Sequence, residues 1–135
     1  MSIEITGVNN VLKALENVVN EEKIEAGISK ACALVEREAK QKAPKRSGEL
    51  RRSITYRVEG LRGEVYTPLE YAPYVEFGTG LFAEKGGRTD VPWFFVDDEG
   101  QSWITSGQKP QPFMRPALDD NRQKIVEVIG EAIGK

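Results

Sequence analysis

Histidine is absent from the 135-residue chain, and cysteine occurs once, as Cys32. The first absence removes the commonest general base, the commonest metal ligand and the usual partner of a nucleophilic serine. The second excludes an intramolecular disulfide and any cysteine-based zinc cluster. Long hydrophobic runs are missing as well: stretches such as Trp93-Phe94-Phe95-Val96 fall far short of the ~20 residues that span a bilayer. The opening Met1-Ser2-Ile3-Glu4-Ile5 has no basic segment followed by an apolar one, so no secretion signal is expected, and the chain reads as one made and kept in a cytoplasm. With 19 basic and 21 acidic residues the formal charge is -2, which gives no global drive toward nucleic acid or an anionic membrane.

The residues that are present are patterned. Ile3 and Ile5 alternate with polar neighbours and predict a short opening strand, broken by Gly7. Thr6 or Asn9 can cap a helix starting there. Val8, Val11, Leu12, Leu15, Val18 and Val19 recur at helical spacing, and Ile24, Ile28, Ala31, Val35 and Ala39 continue the stripe past a polar break at residues 20–22. One long helix or two with a kink satisfies this pattern, and Gly27 favours some irregularity. Ala43-Pro44 stops the helix, because proline disfavours helical geometry in the residue before it. Ile54, Tyr56 and Val58 alternate with polar residues, and Val65 resumes the pattern after Gly60-Leu61-Arg62-Gly63, which predicts a β-hairpin. Tyr71 to Phe77 is short and apolar, ending at Gly78-Thr79-Gly80. Leu81 to Thr89 reads as a glycine-rich mobile loop. A second hairpin is expected from Val91 to Val96 and Ser102 to Thr105, turning at residues 97–100. Ala117, Leu118, Ile125, Val128, Ile129, Ala132 and Ile133 mark a C-terminal amphipathic helix. The fold class is therefore α+β: an antiparallel sheet of about four strands with a long N-terminal and a C-terminal helix packed on it, in one domain.

Four constellations invite a chemical reading. Gly78-Thr79-Gly80-Leu81-Phe82-Ala83 matches a loose dinucleotide fingerprint, but the residues after it do not start a helix to receive a pyrophosphate, so loop glycines are the better account. Asp97, Asp98 and Glu99 offer hard oxygen ligands, yet beside Gly100 they are the residues a tight turn requires. Cys32 lies among Ala31, Ala33 and Leu34 and reads as a buried small hydrophobe rather than a reactive thiol. Residues 37–52 hold seven basic side chains against Glu38 and Glu49. Such a segment can contact phosphate, end a helix in solvent or meet an acidic neighbour, and the aromatics of a base-stacking surface are not interleaved with it. A carboxylate-based hydrolase is the remaining enzymatic alternative, with no acids singled out for it. The reading expects no enzyme, no cofactor, no metal and no small-molecule substrate.

Three blocks exceed what generic folding requires. They are Ala43-Pro44-Lys45-Arg46-Ser47-Gly48-Glu49-Leu50-Arg51-Arg52-Ser53-Ile54, then Tyr71-Ala72-Pro73-Tyr74-Val75-Glu76-Phe77-Gly78-Thr79-Gly80, then Gln108-Lys109-Pro110-Gln111-Pro112-Phe113-Met114-Arg115-Pro116-Ala117-Leu118. In order and content they resemble the head–tail joining (neck, or tail-component) family of long-tailed bacteriophages and prophages. That family's pattern is a long N-terminal helix, an A-P-x-x-[ST]-G-x-L-x-x-S-I turn, a Y-A-x-x-[VL]-E-F-G-T segment and a P-x-P-F-[ML]-R-P-A-L lead into the last helix. The matching positions are Pro44, Ser47, Gly48, Leu50 and Ser53; Tyr71, Ala72, Val75, Glu76, Phe77, Gly78 and Thr79; and Pro112, Phe113, Arg115 and Pro116. Residues 81–107 are longer than in compact members and form a loop and hairpin extension.

The resemblance implies a virion subunit without catalytic residues or cofactor. It would be assembled in the host cytoplasm and sit at the head–tail junction, in a ring, commonly six-fold, between capsid connector and tail tube. DNA would pass through without specific recognition. Pro112 and Pro116 bracket Phe113 and set the angle at which Phe113-Met114 enters the core. Glu76 and Arg115, each a charge inside an apolar block, are expected to pair. Leu81, Phe82, Trp93, Phe95 and Trp103 are the expected subunit contacts, because exposed aromatics are frequent in interface cores. The alternative is a DNA-binding accessory protein using residues 37–52.

Overall fold

The computed structural model describes residues 1–5, 21–45, 48–84, 91–96 and 99–134. The expected helical stripe from Val8 to Val19 and its caps lie outside them, as do Ser47, the loop residues 85–90 and the turn pair Asp97-Asp98. The described chain divides into two compact units, Met1–Leu69 with Phe113–Lys135, and Glu70–Pro112.

In the first unit, strand β1 (Ser2–Ile5), helix α1 (Glu21–Lys42), the short helix α2 (Glu49–Ser53), and strands β2 (Thr55–Glu59) and β3 (Arg62–Tyr66) precede the second unit, and helices α4 (Met114–Asp119) and α5 (Arg122–Gly134) come after it. The strands form one antiparallel sheet in the order β1-β3-β2. Ile24, Ile28, Ala31, Cys32, Val35 and Ala39 line one face of α1 at intervals of three and four, and all are buried. That face packs on β2, β3, α4 and α5, so α1 is the spine of the core. Each fully buried Ile or Val there contributes about 1.5–3 kcal/mol of transfer free energy. The helix closes at Lys42, where Ala43 donates the last helical bond to Ala39 and Pro44 offers no N–H to continue.

The α+β class stands, with its strands divided between this sheet and a two-stranded one in the second unit. Several local expectations change. Gly27 does not break α1; it lets α5 approach, since a Cβ there would lie 3.1 Å from Ala132 Cβ and 3.3 Å from Ile129 Cα. Gly63 is not part of a loop but the second residue of β3, where a side chain would collide with Cys32 and Ile28. The hairpin turn is accordingly just Gly60-Leu61. The Gly48 turn leads first into α2, with the Arg52 amide bonded to Gly48 O at 3.0 Å, and only then into β2. The C-terminal helix is interrupted at Asp120-Asn121. Asn121 is buried, donates from Nδ2 to Ala117 O at 2.9 Å, and accepts the Ile125 amide on its own carbonyl at 2.9 Å, closing α4 and opening α5.

Candidate assembly surface

Residues 70–112 start with helix α3 (Ala72–Phe77), capped by Tyr71, with Pro73 in its first turn and Gly78 ending it at φ 83°. A single 3-10 turn, Gly80–Phe82, comes next, so the expected mobile loop begins with ordered chain. Strands β4 (Trp93–Val96) and β5 (Ser102–Thr105) then pair antiparallel as the expected hairpin. Backbone hydrogen bonds tie the two halves of this unit together. The Thr79 amide donates to Gln108 O at 2.9 Å, and the Gln108 amide returns to Thr79 Oγ1 at 2.9 Å. Leu81 donates to Ser106 O at 3.0 Å and Gln111 to Val75 O at 2.8 Å. Gly80 makes the crossing possible: its φ is 60°, and a Cβ would sit 2.8 Å from the Trp93 ring.

The hairpin register sorts its side chains. Phe94 lies opposite Ile104 and Val96 opposite Ser102, so these four share one face; Trp93, Trp103 and Thr105 share the other. Phe94 is 64% exposed, Ile104 73% and Val96 57%. Tyr71, Tyr74, Leu81, Phe82 and Trp103 are exposed too, whereas in the first unit Val126 alone among the described large apolar side chains is exposed. Among the described residues, exposed apolar surface is thus concentrated in the second unit. Of the five expected contact residues, Leu81, Phe82 and Trp103 are exposed, Trp93 is half-buried, and the Phe95 side chain lies outside the described part. Phe94, Val96, Ile104 and Tyr74 were not among those expected. Alternation along a hairpin that already contained Trp93 and Trp103 is the signal that points to the first three.

The motif residues occupy structural positions in both units. Leu50 and Phe113 are buried in the first, and Ser53 Oγ donates to Leu50 O at 2.6 Å and sits 2.7 Å from Thr67 Oγ1. Gly48 is left-handed at φ 75° ahead of α2, Pro44 comes just after α1, and Arg115 and Pro116 are half-buried in α4. In the second unit Ala72 and Glu76 are buried, Val75 and Phe77 half-buried, and Pro112 exposed. Gly78 and Thr79 begin the crossing just described.

The outer face of the three-stranded sheet carries charge. Glu64, on the central strand, pairs with both Glu4 on β1 and Arg57 on β2 in the ladder. Arg57 Nη2 lies 2.7 Å and Nε 2.9 Å from Glu64 Oε2, and its guanidinium rests 4.9 Å from the centre of the Tyr66 ring. Arg62 binds the Glu4 carboxylate. The hydrogen bond from Arg57 holds the Glu64 carboxyl below its ordinary range; partial burial opposes this and a bond from Ser2 adds to it. The same hydrogen bond holds the Arg57 proton more tightly. Cys32 is buried in the core, and burial pushes its thiol up to about 11. A thiol so placed is inert toward substrates.

Part of the basic segment is engaged, while Arg37, Lys45 and Arg52 are exposed. Lys40 is bound to Glu36 at 3.0 Å and Lys42 lies 3.9 Å from Asp120. Arg51 tucks its Nε and Nη2 out of solvent, without a hydrogen-bond partner among the described residues. Among those residues there is no group of three or more His, Cys, Asp or Glu that could hold a metal ion, and no helix long and apolar enough to cross a membrane.

A family model described as "Bacteriophage HK97-gp10, putative tail-component" matches residues 8–78, just over half of the chain. Comparison with curated proteins and with solved structures returns no match. The matched span covers the first motif block and all of the second but Thr79 and Gly80, and stops before the β4–β5 hairpin.

Proposed function

The chain belongs to the HK97 gp10-like family of bacteriophage tail components, and from that membership we propose that it is a non-enzymatic subunit of the head–tail junction. It assembles in the host cytoplasm, associates with copies of itself in a ring, and helps attach the tail to the capsid connector while DNA passes through. The observation that carries this reading is the clustering of exposed apolar side chains in residues 70–112, including Phe94, Val96 and Ile104 on one hairpin face. A contiguous exposed apolar patch marks an interaction site more often than chance. Leu81, Phe82, Trp93, Phe95 and Trp103 belong to the proposed contact surface with neighbouring virion subunits. The absence of histidine and the burial of the sole thiol leave little chemistry to set against this reading.

Removal of the gene from its phage, with electron microscopy of the lysate, tests the proposal. Filled heads and separate tails, joined again when the protein is supplied from a plasmid, are expected; fully tailed infectious particles without it would refute the assignment. In the DNA-binding alternative the exposed Arg37, Lys45 and Arg52 would meet phosphate, while Lys40 and Lys42 have acidic partners. Filter binding of duplex DNA at low and moderate salt separates the two, since phosphate binding would be tight and steeply salt-dependent.

A further inference from the structure

We propose that the two edges of the three-stranded sheet are the self-association surface: β2 of one copy pairs in parallel with β1 of the next, so the sheet continues from subunit to subunit. This rests on the reading of the chain as a self-assembling subunit, and it adds a contact between copies to the hairpin surface proposed above. Among the described residues β1 and β2 are both edge strands, and an edge directs a row of backbone N–H and C=O groups away from its own sheet. Both run antiparallel to β3 and therefore parallel to each other. Similarly oriented copies laid edge to edge thus form a parallel ladder without any strand reversing.

Register and charge select the partner. Through β3, Ser2 shares a rung with Thr55, Ile3 with Tyr56, and Glu4 with Arg57. In-line joining places Glu4 of one copy beside Arg57 of the next on the outer face. It also brings half-buried Ile3 beside half-buried Tyr56 on the face that carries the core. A slip of one residue would turn every side chain to the wrong face. A slip of two places Glu4 beside Thr55 or beside Glu59, a like charge. The in-line register is the one of these that sets opposite charges together. It extends the band of alternating sign that Arg57–Glu64 and Arg62–Glu4 already form within one copy. Symmetric pairing of β2 with β2 about its central residue would set Arg57 against Arg57, and β1 with β1 about Glu4 would set two carboxylates together. The in-line contact is head-to-tail, the type that closes into a ring or continues as a filament.

Disulfide trapping tests this on the full-length protein. Ser2→Cys with Thr55→Cys puts thiols on two exposed positions of one rung that are separated by β3. They stand about 9–10 Å apart within a copy, beyond the ~7 Å Cα reach of a disulfide, so any bond between them joins two copies. Oxidation at increasing protein concentration is expected to give a ladder of multimers on a non-reducing gel that collapses on reduction. Each single variant should stop at dimers. The off-register pair Ser2→Cys with Glu59→Cys should cross-link several times more slowly. Oligomers of the unmodified chain seen by sedimentation, with no ladder from the Ser2/Thr55 variant, would overturn edge pairing while leaving self-assembly intact. Equal trapping of the two pairs would overturn the register and with it the proposal. A chain monomeric at every concentration, with no ladder, would also overturn it; the junction assignment would then be decided separately by the gene-deletion phage.

Discussion

At the residue scale, two glycines show what a single sequence conceals. Gly27 and Gly63 read as breakers in a one-dimensional pattern, yet in the folded chain each is the place where two elements touch. Periodicity reports which face of an element is apolar; it does not report how closely another backbone must come. Gly63→Ala tests the point. The new methyl would meet Cys32 Sγ and lie 2.8 Å from Ile28 Cγ2, so the variant should lose about 1–3 kcal/mol of stability in urea titration through overpacking. Adding Cys32→Ala removes one of the two obstacles, and the double variant should lose less than the two single losses combined. Strict additivity would show that the contact is not the cause.

Glu64 supplies a second test at this scale. Its carboxyl is held low by Arg57, so it binds fewer protons folded than unfolded at mildly acid pH. The linked stability is fully present above the ordinary carboxylate range and is lost as pH falls through the lower, folded value. In Arg57→Gln the charged hydrogen bond is gone, so Glu64 should titrate closer to the ordinary range in carbon-detected NMR. The fall of stability on acidification should become correspondingly shallower. A Glu64 titration unchanged by the substitution would mean that the salt bridge does not set it.

At the element scale, most of the architecture was legible. The opening strand, the described part of the long helix, the Pro44 stop, both hairpins and the helical C-terminus come from alternation, three-to-four spacing and turn residues. The short helices α2 and α3 and the interruption at Asn121 were not legible. Helices of five or six residues show too few turns for a periodic signal. The apolar positions of α4 and α5 continue in phase closely enough to hide the break between them. Asn121 holds that break with a buried side-chain bond to Ala117 O at 2.9 Å. Asn121→Ala removes this donor and leaves a carbonyl less satisfied, which should cost about 1 kcal/mol in thermal or urea unfolding. Asn121→Asp keeps the shape but replaces the NH2 donor with a carboxylate facing a carbonyl, and should cost more. An alanine variant as stable as the parent would mean that the break is held by packing alone.

At the scale of the whole molecule, the sequence allowed the candidate surface to be only half seen. The tryptophans stood out by residue type, whereas Phe94 and Ile104 become neighbours only once register is known. The same holds for the Glu4, Arg57, Arg62 and Glu64 band, whose members are scattered over 61 positions, from Glu4 to Glu64, and meet through strand order. Such surfaces can be separated experimentally from the core that supports them. Phe94→Ser with Ile104→Ser changes side chains that are 64% and 73% exposed, so the urea midpoint should move by no more than about 0.5 kcal/mol equivalent. Phe113→Ala, in contrast, empties a fully buried site and should cost about 3–5 kcal/mol. If the hairpin face is a docking surface, the double serine variant should fold normally, be more soluble, and fail to restore joined particles when supplied to the deletion phage. Failure of Phe113→Ala to complement would say nothing about docking, because the subunit itself would be compromised. A double serine variant that joins heads to tails as well as the parent would remove the hairpin from the assembly surface, and the apolar clustering would then need another partner to explain it.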